Sequence, residues 1–151
     1  MLQIIYKSLA TVPFSNAGLS RLLMTSRVQN QIVDITGILV VHSNAFLQVL
    51  EGPEEAVEAT FERIVTDPRH KCLQVLSREI IEERAFPNWS MGLVCTPGGR
   101  FELNPGLDEL FHSKGSFPRG TGSHVLRLLQ EFRCHPWRRK VDIGYAPLVA
   151  R

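Results

Sequence analysis

Four polar side chains occupy faces of this sequence that are otherwise apolar: Tyr6, Ser26, Asn30 and Gln48. In "FLQVLEG" (46–52), Gln48 alternates with Phe46 and Leu50, so in a strand its amide points the way they do. Tyr6 shares a face with Ile4 and Ser8 in "LQIIYKSLA" (2–10). Ser26 and Asn30 extend a helical stripe begun by Leu19, Leu22 and Leu23. A polar group buried on such a face is costly without partners. Any one of the four is readily satisfied by a nearby backbone group. Four that converge are better served by a planar, hydrogen-bonding ligand held between helices, which would meet amides from above and below. Trp89 and Met91 share a parity further along, on or near a strand.

These residues have to be positioned by elements that the sequence announces. The first strand spans 2–10, and Pro13 breaks it. Ser15 or Asn16 can cap the helix that follows. "DITGILVVHSNAFLQVLEG" (34–52) reads as a hairpin, with "HSNA" as its turn. Gly52-Pro53 opens a second helix with Glu54, Glu55 and Glu58 at its positive end. Val57, Phe61, Ile64 and Val65 form its apolar face, and Asp67-Pro68 stops it. A fourth strand is expected around 72–82 and a fifth at 90–95, joined by "RAFPNW". The order β-α-β-β-α-β-β is ferredoxin-like and α+β: a five-stranded mixed sheet with two helices on one face. In that fold the first and third strands are neighbours, which would bring Tyr6 beside Gln48.

A composition shift at "TPGGR" (96–100) divides the chain into a unit of residues 1–96 and a C-terminal helical extension, 97–151. In the extension a short helix is expected after Asn104-Pro105, then a Gly- and Pro-rich loop at 115–122. Ser123 could cap "HVLRLLQEFR", whose Val125, Leu128, Leu129 and Phe132 make an apolar face. That face suits either covering the open side of the sheet or contacting another subunit or partner.

Composition excludes several classes. With 151 residues, 44% hydrophobic and 21% charged, the chain fits one soluble globule. A net charge of +2 gives no footprint for nucleic acid, and "HPWRRK" (135–140) reads as a solvated tail. Cys72, Cys95 and Cys134 form no CxxC, which argues against a disulfide scaffold or zinc site and for a reducing, cytoplasmic setting. No segment has the ~18 apolar residues of a membrane helix, and the N-terminus does not read as a signal peptide. GxSxG, HExxH, P-loop and GxGxxG patterns are missing, and the five histidines lack metal-ligand spacing.

Five stretches, "IYKSLA" (5–10), "SRVQNQ…DITGILV" (26–40), "FLQVLEGPEEAV" (46–57), "RIVTDPRH" (63–70) and "RAFPNWSMGLV" (84–94), run in order over nearly two thirds of the chain. Together they resemble a BLUF domain, a blue-light sensor that uses FAD. The resemblance implies that the isoalloxazine ring inserts between the two helices. By position Tyr6 matches the family's photoactive tyrosine and Gln48 its switching glutamine. Asn30 matches the asparagine that holds the carbonyl and imide edge of the flavin. Arg69 and His70 match the basic pair beside the opposite edge, and Ser26 a pocket residue near the tryptophan or glutamine. Trp89 and Met91 match two residues that compete for the place beside the glutamine, while Ile35 and Phe46 would supply apolar walls. FAD rests on the resemblance, because no phosphate motif distinguishes it from FMN or riboflavin. Gln29 stands where the family leads one to expect His or Arg, and Val49 follows the glutamine where some members carry tryptophan.

The residue types suit this role. A phenol can give up an electron and a proton together. Glutamine carries a donor and an acceptor on one amide, so rotating or tautomerising it changes which atom it serves. Such a rearrangement, worth ~1 to 3 kcal/mol per bond, has to bias a two-state element nearby. The strand after Trp89 and Met91 leads to the extension and is the expected output route. The resemblance implies a photoreceptor that is not an enzyme, and that signals to a separate downstream protein, with homo-oligomers common in this short type. The alternative is a small flavin-dependent oxidoreductase, for which no catalytic acid is evident. A cofactor-free ferredoxin-like nucleic-acid module is disfavoured, because the stacking aromatics of an RNA reader are absent.

Overall fold

A computed structural model of the chain describes residues 1–95, with Val125, Arg127 and Leu128 beyond them. Five strands, β1 (Leu2–Ala10), β2 (Thr36–His42), β3 (Ala45–Gly52), β4 (His70–Ile80) and β5 (Gly92–Cys95), form one sheet in the order β4-β1-β3-β2-β5. Two helices, α1 (Asn16–Ile32) and α2 (Glu54–Val65), complete the ferredoxin-like α+β order expected from the sequence. All neighbouring strands are antiparallel except β2 and β5, which run parallel from Ile38↔Gly92 onward.

Local chemistry accounts for the ends of these elements. The Ser15 side chain accepts a bond from the Gly18 N–H at 3.0 Å and caps α1. Pro53 stands at the N-cap of α2 without a side-chain bond. Glu54 and Glu55 lie in its first turn and Arg63 in its last, so both dipole ends are matched. Between β2 and β3 the chain turns through Ser43, which takes φ 54°. Gly37 is required by close approach: a Cβ there would lie 1.9 Å from the carbonyl oxygen of Val49 on the paired strand.

Two boundaries differ from expectation. β4 begins at His70 and ends at Ile80, two residues ahead of the 72–82 reading. Just past it, the Ile81 N–H donates to the carbonyl of Met1. β5 starts at Gly92 instead of residue 90. Just before it, the carbonyls of Ser90 and Met91 accept from side chains of α1. On α2, Val65 is 37% exposed, while Thr60 is buried with Val57 and Phe61. The buried arc is centred between Val57 and Phe61 on one side and Thr60 on the other, which leaves Val65 at its margin.

Both faces of the sheet are covered. On the upper face Ile4, Tyr6, Leu39, Phe46 and Leu50 pack with Leu19 and Leu23 of α1 and Val57 and Phe61 of α2. On the lower face Ile5, Ile38, Val40, Leu47 and Val49 pack with Leu76, Ala85 and Phe86. Val125 and Leu128, helical in backbone, are buried in that lower cluster. This double burial explains why all eight residues of β3 are buried, Gln48 and Glu51 included. The expected short helix after Pro105, the loop at 115–122, the "HPWRRK" cluster and Cys134 lie outside the described residues. Among the described residues, no helix is long and apolar enough to cross a membrane and no cluster of His, Cys, Asp or Glu could hold a metal.

Candidate functional site

A cleft of about 290 Å³ opens between α1, α2 and the upper face of the sheet. Its size is near the lower end of the ~300–1,000 Å³ usual for small-molecule sites. Leu22, Leu39, Phe46, Leu50, Ile64 and Met91 give it apolar walls. The polar lining divides by origin. Thr25, Ser26, Gln29 and Asn30 come from α1, Thr60 and Arg63 from α2, Asp67, Arg69 and His70 from the turn into β4, and Gln48 from the floor.

The floor is built by strand register. Tyr6 and Gln48 are directly opposite each other in the β1–β3 ladder. The Tyr6 hydroxyl donates to Oε1 of Gln48. Tyr6 is 1% exposed, and its ring packs against Phe61 at 5.4 Å. Burial, reinforced by the negative charge of Asp67, pushes its phenol well above the ordinary tyrosine value, so it stays a hydrogen-bond donor at any physiological pH. Among the described residues, the Nε2 of Gln48 has a single partner, the Met91 sulfur at 3.5 Å. A thioether is a weak acceptor. Gln48 is 9% exposed, so a buried amide N–H group faces the cleft with little to satisfy it.

The segment before β5 is held from above and from the side. Asn30, 3% exposed, donates through Nδ2 to the Ser90 carbonyl at 2.7 Å. Arg27 donates through Nε to the Met91 carbonyl at 2.9 Å, and the Gly37 N–H donates to the Trp89 carbonyl at 2.9 Å. With these three carbonyls fixed, Met91 points to the upper face and is 1% exposed. Trp89 goes to the lower face, where it stacks on Phe86 at 5.8 Å and 21°. The two residues share a parity only on paper, since neither belongs to a strand.

The other end of the cleft is charged. Asp67 forms an ion pair with Arg69 at 2.5 Å. The side-chain bond from Arg69 is the main reason that Asp67 is held below its ordinary value, and the same bond raises Arg69. His70 Nδ1 is 2.9 Å from Ser8 Oγ, and its ring meets Phe46 edge-on at 5.7 Å. Burial holds His70 below its ordinary value, with Asp67 opposing and Arg69 assisting. The imidazole is therefore neutral near pH 7.

The structure thus gathers Ser26, Asn30, Phe46, Gln48, Arg69, His70 and Met91 around one cleft, with Tyr6 behind Gln48. Ile35 is buried in the same upper cluster but does not line the cleft, and Trp89 is across the sheet from it. Thr60, Arg63, Ile64 and Asp67 line it without having been singled out. Their signal was present, because Thr60 and Ile64 flank Val57 and Phe61 on the inner arc of α2 and Asp67 lies within "TDPRH".

Comparison with known proteins agrees with this fold. A model of the BLUF family, described as sensors of blue light using FAD, matches residues 1–92. The photoactivated adenylate cyclase subunit beta of Euglena longa is 37% identical over 87 residues, which are 57% of this chain and 10% of that protein. The blue light- and temperature-regulated antirepressor BluF of Escherichia coli strain K12 is 38% identical over 65 residues, 43% of this chain and 16% of the relative. The dark-state structure of BlrB, a BLUF protein, is 35% identical, with a TM-score of 0.60, covering 62% of this chain and 71% of that one. This chain therefore spans a small part of the curated relatives it matches. It belongs to the BLUF family of blue-light sensors, whose cofactor is FAD.

Proposed function

We propose that residues 1–96 form a light switch in which Tyr6 and Gln48 are the responsive pair and residues 97–151 form a separate capping and output extension. FAD, when bound, supplies blue-light absorption and an excited state that accepts an electron. The chain's own residues do the rest. Asn30, Ser26, Arg69 and His70 would hold the cofactor's polar groups, with Phe46 and Ile35 as apolar support. The observation that carries this reading is the Gln48 amide, whose oxygen is committed to Tyr6 and whose nitrogen has, among the described residues, only a thioether. The cleft supplies the missing partner when a hydrogen-bonding ring occupies it.

Tyr6 is a buried, protonated phenol one hydrogen bond from Gln48, so loss of its electron and proton would free Oε1 at once. With the electron and proton returned to Tyr6, the amide could settle in a turned position, and a bond donated from its nitrogen to a ring in the cleft would shift absorption to the red with no covalent bond formed and no net redox change. Its former contact with Met91 breaks in the same movement, which passes the change to the chain leading into β5. The output in this reading is a contact with an effector protein and not catalysis by residues 1–96. The cyclase and antirepressor relatives give the two kinds of effector logic for which to look, an attached enzyme or a bound regulator. Reconstitution with FAD tests it: a reversible red shift under blue light supports the switch, and a yellow protein with an unchanging spectrum refutes it.

A further inference from the structure

Glu51 is fully buried on the lower face of β3, at 0% exposure, and the switch as described makes no use of it. Its carboxylate accepts three hydrogen bonds. Gln3, opposite it in the β1–β3 ladder, donates from Nε2 to Oε1 at 2.7 Å. The backbone N–H of Ala85 reaches Oε1 and that of Phe86 reaches Oε2, each at 3.0 Å. Two successive amides of the β4–β5 connection are therefore tied to the strand that carries Gln48. Next to them, Arg84 bonds the Asp34 carboxylate at 2.7 Å and Thr36 Oγ1 at 3.1 Å. Trp89 follows, stacked on Phe86, and then Met91 against Gln48.

A buried carboxylate is retained only where its hydrogen bonds are nearly complete. An apolar residue would fill this place without that requirement, but it could not fix two backbone amides at once. We propose that Glu51 is a positioning residue for the light response: it pins Ala85 and Phe86 beneath β3 and so sets the register in which Met91, and not Trp89, stands against Gln48. The inference rests on the switch reading, and it adds that the register is stored on the far side of the sheet from the cofactor. Glutamine at this position keeps shape but replaces one acceptor oxygen with a donor nitrogen, so at least one of the three donors loses its partner.

The test is dark recovery after a blue pulse, read by absorbance in FAD-loaded protein. Glu51→Gln should show a red shift as large as the parent's, since Gln48 and Tyr6 are untouched, but return to the dark state at a rate changed by roughly fivefold or more, as expected for a lost buried hydrogen bond. Gln3→Met, a milder change that removes one donor, should shift recovery in the same direction by less. It decides the matter if Glu51→Gln does not fold. Leu76→Ala loosens the same lower cluster but removes none of the Glu51 hydrogen bonds. It should lower stability and leave recovery near the parent's. Parent-like recovery in the folded Glu51 or Gln3 variant would overturn the proposal, and so would an equal change in Leu76→Ala. A parent protein with no red shift would instead refute the switch itself.

Discussion

The Tyr6 hydroxyl donates to the side-chain oxygen of Gln48, its direct partner across the β1–β3 ladder. The bond is buried, and the phenol is held protonated by that burial. Tyr6→Phe removes the donor and leaves Gln48 Oε1 unpaired, at a cost of about 1–3 kcal/mol in stability. The variant should still bind FAD, show no red shift, and have a longer flavin fluorescence lifetime because the nearby electron donor is gone. An unchanged decay would count against Tyr6 in this role.

Trp89 lies across the sheet from the cleft, on Phe86. Trp89→Ala should therefore leave FAD affinity within about threefold of the parent, a difference under ~1 kcal/mol. It should instead alter dark recovery or partner binding. Fluorescence titration with FAD gives the affinity; a large loss would place the indole in the cofactor site.

His70 gives the account a pH dependence with a definite sign. Its folded value is below the ordinary 6.5, chiefly through burial. The unfolded chain thus takes up the proton first as pH falls. The contribution from a neutral His70 is complete above about 6.5 and declines below it. Melting midpoints from about pH 8 to about pH 5 should fall more steeply for the parent than for His70→Gln. Parallel curves would show that His70 is not charged at a cost in the fold.

Gly37 is a structural requirement. Any Cβ would press on the Val49 carbonyl, one residue from Gln48 in β3, and would push β2 and β3 apart. Gly37→Ala should cost about 3 kcal/mol or more, read as a lower denaturant midpoint. A loss under ~1 kcal/mol would show that the ladder yields easily there.

Much of this was legible because strand parity is a strong signal. Alternation put Tyr6, Phe46, Gln48 and Leu50 on one face, and the ferredoxin-like order made the first and third strands neighbours. The helical stripe placed Ser26 and Asn30 over them. What the chain did not disclose depends on contacts distant in sequence. Met91 and Trp89 have equal claim to the inner face until three carbonyls are held by Gly37, Asn30 and Arg27 and two amides before them by Glu51. Glu51 looks like an ordinary strand end, and its partners at Ala85 and Phe86 are 34 and 35 residues further on.

The most direct measurement is the light-minus-dark absorption spectrum of FAD-loaded Gln48→Leu beside that of the parent. Leucine nearly matches glutamine in volume but can neither accept from Tyr6 nor donate to a ring in the cleft. The parent should show a reversible red shift under blue light, and Gln48→Leu should bind FAD and show none. A shift of the parent's size in Gln48→Leu would contradict the account.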